Sequence, residues 1–171
     1  MIVIIEGIDR VGKTTLCNML QQHGYVSLDR TIYADKANMP IDVYDKILSE
    51  RTIAQAQVLS MIPTTTKIVI DRFHLSQIVY GLLERNQDNI VIMKLIEDML
   101  KHNSILVYVE PIDINWSSLE HGKDLSQHAA YFDALYESSV LTKRKTNYTS
   151  LDLALADILE VDNANHRKHS W

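Results

Sequence analysis

The sequence predicts an α/β protein: a parallel sheet with helices on both faces. Three observations carry that expectation. Ile2-Val3-Ile4-Ile5, Lys67-Ile68-Val69-Ile70-Asp71 and the run from Ile105 to Val109 are short and β-branched, as strands buried on both faces require. Segments of helical periodicity separate them, so strands and helices alternate along the chain. The 171 residues are 46% hydrophobic and 23% charged with 5 Gly and 3 Pro, which excludes disordered, collagen-like and low-complexity classes and leaves one domain over 1–171.

Each element follows in order. The first strand runs directly into Gly7. From Lys13 the period changes: Leu16, Met19, Leu20 and His23 recur at helical spacing, and Gly24 supplies the stop. Tyr25 to Leu28 reads as a weaker second strand, and the polar stretch 29–42, with Pro40, as a loop. Asp42 opens a helix whose apolar face is Val43, Ile47, Ala54, Val58 and Ile62, as far as Pro63. The strand over 67–71 ends in a carboxylate. Helices are expected over 75–85 and 88–102, the second turning Ile92, Leu95, Ile96, Met99 and Leu100 inward. The strand over 105–109 closes at Glu110-Pro111. Residues 113–126 are polar, contain Gly122, and read as a mobile loop. The next helix is expected to pass through Tyr131, Leu135 and Leu141 to Lys143-Arg144-Lys145, a basic run that suits a helix C-terminus. A last strand over 147–151 and a final helix over 153–161 complete the pattern.

Charge and composition narrow the function. Lys plus Arg number 17 against 22 Asp plus Glu, a net −5, which argues against a general binder of nucleic-acid backbone while leaving room for a local basic site. The lone Cys17 excludes an internal disulfide and a cysteine-rich zinc module, and in the first helix it reads as inert. His74, His121 and the other five histidines show no metal-ligand spacing, and Tyr131, Phe132 and Tyr136 read as packing. The apolar opening stops at Glu6 and no later run approaches eighteen residues. A protein without signal peptide or membrane span is therefore expected, in the cytoplasm.

Gly7-Ile8-Asp9-Arg10-Val11-Gly12-Lys13-Thr14 matches G-x-x-x-x-G-K-[ST], with Thr15 following. The glycines let the backbone wrap an anion, and the helix beginning there points its positive end at the same place. Lys13 reaches outer phosphates, and Thr14 offers a hydroxyl to Mg²⁺. The match lies between a buried strand and a helix, where that chemistry demands it. Asp71 ends a second strand, where a Mg²⁺-orienting carboxylate belongs, and Arg72 projects a cation to the same carboxyl edge of the sheet. No Asn-Lys-x-Asp guanine signature is present.

Glu6-Gly7-Ile8-Asp9-Arg10-Val11-Gly12-Lys13-Thr14-Thr15 and Asp71-Arg72-Phe73-His74-Leu75-Ser76, with Tyr80, resemble the thymidylate kinases and their deoxynucleoside kinase relatives. The resemblance implies a nucleoside-monophosphate-kinase-like, three-layer fold with a five-stranded parallel sheet, and a lid around 113–126. It implies ATP on the loop from Gly7 to Thr15, the acceptor sugar at Asp9, and the acceptor phosphate at Arg72. Ser76 and Tyr80 would lie near the acceptor nucleoside. It also implies Mg²⁺ at Thr14 and Asp71, and raises a homodimer. Some members carry an arginine inside the P-loop and others in the lid. Here Arg10 stands in the loop while Glu120-His121-Gly122-Lys123-Asp124 holds none, so Arg10 is the expected catalytic cation and Lys123 an auxiliary.

The acceptor half departs from the family pattern. R-x-P after the second strand is missing, and Arg30 alone stands near enough to replace its phosphate contact. Gly81 replaces a glutamine that often helps read thymine. The leading expectation is ATP-dependent phosphoryl transfer to a small nucleotide acceptor, a deoxynucleoside monophosphate, dTMP first. A hydroxyl kinase is the alternative, acting on a deoxynucleoside or, as in a phage branch with a similar D-R-F-H-L segment, on 5-hydroxymethyluracil in DNA; host cytoplasm is its setting in that case. Glu6 and Asp71 stand where a base for a hydroxyl acceptor would act. A nucleotide-binding regulatory module without transfer activity is the reading from another class.

Overall fold

A computed structural model describes residues 1–28, 39–112 and 125–168 of the chain. The lid segment, Arg30 and Lys123 lie outside the described residues, apart from the segment's last two positions.

Five parallel strands form one sheet: β1 (Ile2–Glu6), β2 (Val26–Leu28), β3 (Ile68–Asp71), β4 (Ser104–Glu110) and β5 (Thr142–Asn147), in the order β2-β3-β1-β4-β5. Burial sorts them. β1 is buried at every position, because strands flank it on both edges and helices cover both faces. β5 occupies an edge and is mostly polar. The helices are α1 (Lys13–Gln22), α2 (Ile41–Ser60), α3 (His74–Arg85), α4 (Ile90–Leu100), α5 (Ser126–Ser138) and α6 (Leu151–Lys168). α1 packs on β1 to β3 and meets α6, which lies on β5; α3 contacts α2, α4 and α5, and α5 lies on β4. This is the five-stranded α/β architecture that the resemblance implied.

Several expected elements shift. The α5 helix does not run on to the basic residues but ends at Ser138. Glu97 of α4 ends it: its carboxylate accepts from Ser139 Oγ at 2.7 Å and from the Val140 backbone N–H at 2.9 Å. Lys143, Arg144 and Lys145 lie instead on β5, where Lys145 pairs with Asp133 and Glu110. An edge strand carries such charge without penalty and is discouraged by it from pairing with another chain. The last strand therefore stands five residues earlier than 147–151. A short 3₁₀ turn, Tyr148–Ser150, takes that place and α6 begins at Leu151.

On α2 the expected face is rotated. Val43 and Val58 are exposed, and Tyr44, Asp45, Ser49, Ala56 and Leu59 point inward. Asp45 explains the rotation, since it accepts from Arg85 Nε at 2.7 Å, from Gln77 Nε2 at 3.2 Å and from Asn89 Nδ2. A buried carboxylate so satisfied belongs inside, and the apolar pattern alone cannot anticipate it. α4 shows the same effect: Glu97 is buried while Leu95 is half exposed. Glu97 also meets His74 Nε2 at 3.1 Å, so His74 is a core residue. Desolvation would raise the Glu97 pKa, but hydrogen bonds from His74, Ser139 and the Val140 N–H outweigh it and hold the carboxyl below its usual range. Phe132 and Tyr136 are buried packing, whereas Tyr131 is exposed.

Candidate functional site

The chain leaves β1 at Glu6 and turns sharply at Gly7, whose φ is +138°. A Cβ there would stand 2.5 Å from the Val109 carbonyl oxygen of β4, so the loop can lie this close to the sheet only with glycine. The side chains of Ile8 and Val11 are buried in the core and pin the loop down. Gly12 caps α1 in a left-handed conformation, and Lys13 opens the helix. The Lys13 side chain is buried, with Nζ donating to the Ile8 carbonyl inside the loop. Cys17, one turn into α1, is also buried. Burial, reinforced by the Asp71 charge, pushes its thiol up to about 12, as an inert cysteine requires.

Parallel pairing of β1 with β3 sets Ile5 beside Asp71. That register delivers the β3 carboxylate to the phosphate loop, and Thr14 Oγ1 donates to Asp71 Oδ2 at 2.9 Å. Asp71 Oδ1 is buried without a hydrogen-bond partner. A hydroxyl, a carboxylate and one unsatisfied buried oxygen suit Mg²⁺, which takes one or two protein ligands and fills the rest with phosphates and water. Among the described residues no group of three or more His, Cys, Asp or Glu could hold a metal ion.

Arg72 follows at the same edge. Its backbone is left-handed, φ +67°, and its N–H donates to the Ile5 carbonyl at 2.8 Å. The guanidinium pairs with the Asp9 carboxylate and lies over the Tyr80 ring, 5.2 Å from its centroid. Tyr80 Oη donates to the other Asp9 oxygen at 3.3 Å. Arg10, at φ +62°, is exposed. Among the described residues three non-glycine residues have positive φ; Asn86 caps α3, and the other two are these arginines. Left-handed backbone at such residues is costly and concentrates at functional sites.

Glu6 and Ser76 lie elsewhere. Glu6 is fully buried; Oε1 accepts from the Phe73 and Leu75 N–H groups at 2.8 and 3.0 Å, and Oε2 from Ser76 Oγ. Every oxygen is committed to the N-terminus of α3, so the base role expected of Glu6 does not fit its position. Its carboxylate instead clamps β1 to the segment that carries Arg72, and Ser76 is part of that clamp.

An open cleft of about 310 Å³ results. The P-loop contributes Asp9, Arg10, Gly12, Lys13, Thr14 and Thr15; β3 and its end contribute Asp71 and Arg72. Tyr148 closes the list, and the sequence reading missed it. Placing the last strand over 147–151 buried Tyr148 mid-strand, whereas the residue after a parallel strand stands at the ligand-binding edge.

Neither a protein-family model nor a curated protein sequence matches the chain. Solved structures do. The YorR protein of Bacillus subtilis, in complex with phosphorylated GDP, is 19% identical, with 99% of each chain covered and a TM-score of 0.71. A deoxyadenosine kinase from M. mycoides, with the products dCMP and dCDP bound, is 12% identical over 96% of this chain and 99% of its own, TM-score 0.59. Thymidylate kinase from Candida albicans is 14% identical over 96% and 92%, TM-score 0.59. This chain has the α/β fold of these structures, a deoxyadenosine kinase and a thymidylate kinase among them. Among the described residues no helix is long and apolar enough to cross a membrane.

Proposed function

We propose that this protein is an ATP- and Mg²⁺-dependent kinase that phosphorylates a deoxynucleoside monophosphate, with dTMP the leading acceptor. The observation that carries the reading is the meeting, in one cleft, of the P-loop, the Thr14–Asp71 hydrogen bond and two left-handed arginines. The thymidylate kinase that shares the fold supports it, whereas the deoxyadenosine kinase supports a kinase without favouring this acceptor.

In this reading each group has a separate task. The loop from Gly7 to Thr15 holds the donor phosphates, and Lys13 leaves the Ile8 carbonyl to neutralise their outer charge. Thr14 and Asp71 would hold Mg²⁺, which would offset phosphate charge. Arg10 faces the charge that develops on the transferring phosphoryl group. Arg72 takes the acceptor phosphate, while Asp9 and Tyr80 border the acceptor sugar and base. Positioning and charge neutralisation suffice, because an ionised acceptor phosphate needs no strong base.

One observation favours a second reading. Asp9, unlike the fully buried Glu6, keeps a partly exposed carboxylate in the cleft, and on leaving Arg72 or Tyr80 it could take the proton of a hydroxyl acceptor. The two are separated by offering nucleosides, nucleoside monophosphates and hydroxymethyluracil-containing DNA with radiolabelled ATP. Transfer to dTMP or another monophosphate, lost in Lys13→Ala with the far-ultraviolet circular dichroism unchanged, is the expected result. Label on nucleoside or DNA alone selects the hydroxyl kinase. Nucleotide binding without transfer to any acceptor selects the regulatory module.

A further inference from the structure

Arg72 sits between the end of β3 and a helix start that does not cap itself. Its backbone is left-handed, and the next residue, Phe73, opens α3 at φ −141° and ψ −121° with no cap from its own side chain. Two buried carboxylates from other elements secure this turn. Glu6, reaching from β1, accepts from the Phe73 and Leu75 N–H groups and from Ser76 Oγ. Glu97, reaching from α4, meets His74 Nε2 at 3.1 Å. Phe73 to Ser76 are therefore held from the sheet on one side and from the helical layer on the other.

The second anchor is itself fixed. Glu97 accepts from Ser139 Oγ and the Val140 N–H, so it does not follow α3 if α3 moves. Packing alone does not call for a histidine at 74. The ring is fully buried and meets Phe73 edge-on at 5.6 Å, while its Nδ1 has no hydrogen-bond partner among the described residues. An apolar side chain would fill the space without that unsatisfied nitrogen, and such exchanges often leave stability unchanged. What an apolar side chain lacks is a directional bond. One anchor leaves the turn free to swing about it, and a second from another layer removes that freedom.

We propose that His74 is a positioning residue for Arg72: its bond to Glu97 fixes the first turn of α3 and so holds the arginine where the acceptor phosphate docks. The inference rests on the reading of Arg72 as the group that takes that phosphate. Left-handed backbone at a non-glycine residue persists only where its surroundings over-determine it, and His74, two residues on, supplies part of that restraint.

Steady-state kinetics with ATP and dTMP on His74→Leu, His74→Gln, Arg72→Ala and the Arg72→Ala/His74→Leu pair test it. A misplacement of about 1 Å can cost about 10²-fold, so His74→Leu is expected to raise the dTMP KM by roughly 10-fold or more and to leave the ATP KM within about twofold. His74→Gln keeps an N–H donor for Glu97 and should return the dTMP KM to within about threefold of the unmodified protein. Once Arg72 is alanine, adding His74→Leu should change the dTMP KM by no more than about twofold, because the side chain it positions is gone. If His74→Leu does not fold, His74→Phe fills the space without a donor and is read in the same way. Equal factors with and without Arg72, a matching rise in the ATP KM, or a His74→Gln that behaves like leucine would each make His74 a general packing residue and overturn the proposal. An unaltered dTMP KM in His74→Leu beside a strongly raised one in Arg72→Ala overturns the proposal alone. An unaltered dTMP KM in Arg72→Ala, or an unmodified protein that does not phosphorylate dTMP, overturns the underlying reading of the acceptor site and the proposal with it.

Discussion

Replacing Arg10 by glycine separates what this residue does for the reaction from what it costs the fold. Arg10 is exposed in the cleft with φ +62°, a conformation that glycine adopts freely and arginine does not. Relief of that backbone is worth about 1–2 kcal/mol to the folded state. Glycine's extra freedom in the unfolded chain takes back about 0.5–1 kcal/mol. The variant is therefore expected to be as stable as the unmodified protein, or more stable by up to about 1.5 kcal/mol. Transfer moves the other way. A guanidinium that meets charge only in the transition state supplies roughly 10³- to 10⁵-fold in related phosphoryl transfers, and scaled to this exposed residue a loss of roughly 10²- to 10⁴-fold is expected, about 2.7–5.5 kcal/mol. kcat and kcat/KM should fall together by that factor while the ATP KM changes less. Urea unfolding and steady-state kinetics on one preparation give both numbers. A kcat within about threefold of the unmodified enzyme, or a smaller kcat loss than that of Lys123→Ala, places the catalytic cation elsewhere and refutes the reasoning. A variant destabilised by more than about 1 kcal/mol refutes the strain argument.

Arg72→Ala should raise the acceptor KM strongly and leave ATP affinity nearly unchanged, whereas a loss mainly in kcat with a nucleoside acceptor identifies a hydroxyl kinase. Glu6→Ala strands the Phe73 and Leu75 N–H groups and should cost about 3 kcal/mol or more in chemical denaturation. Glu6→Gln keeps an acceptor for them and should retain turnover; an inactive but well-folded Glu6→Gln would restore Glu6 as a base. The Glu97 carboxyl is held below its usual value of 4.5, so its contribution is present in full above that pH and is lost as pH falls through the lower folded value. Glu97→Gln should therefore flatten the acid limb of a stability profile below about pH 4.5, and a limb of unchanged slope would show that the carboxyl does not feel its three donors.

The donor half of the site was legible because its chemistry is local. A strand, a six-residue loop that begins and ends in glycine, and a helix start occupy one short stretch, and the anion-binding geometry follows from their order. Asp71 and Arg72 were legible for a related reason, since a carboxylate ending a buried strand must reach the sheet's carboxyl edge. Composition and periodicity sufficed for a parallel sheet covered by helices, and the resemblance implied its five strands.

Tertiary contacts decided the rest. Nothing near Ser138 in sequence ends α5; Glu97, 42 positions before Ser139 and reaching from α4, does so by taking its hydroxyl and the next N–H. β5 has almost no apolar residues, and its strand character comes from pairing with β4 at the sheet edge. With those two boundaries unknown, Tyr148 could not be placed at the cleft. Glu6 and Asp45 make the same point: a carboxylate's role depends on which donors surround it once the chain has folded. Periodicity reports the burial of apolar surface, an average over many weak contacts, whereas a buried charge is positioned by a few directional bonds between residues far apart in sequence.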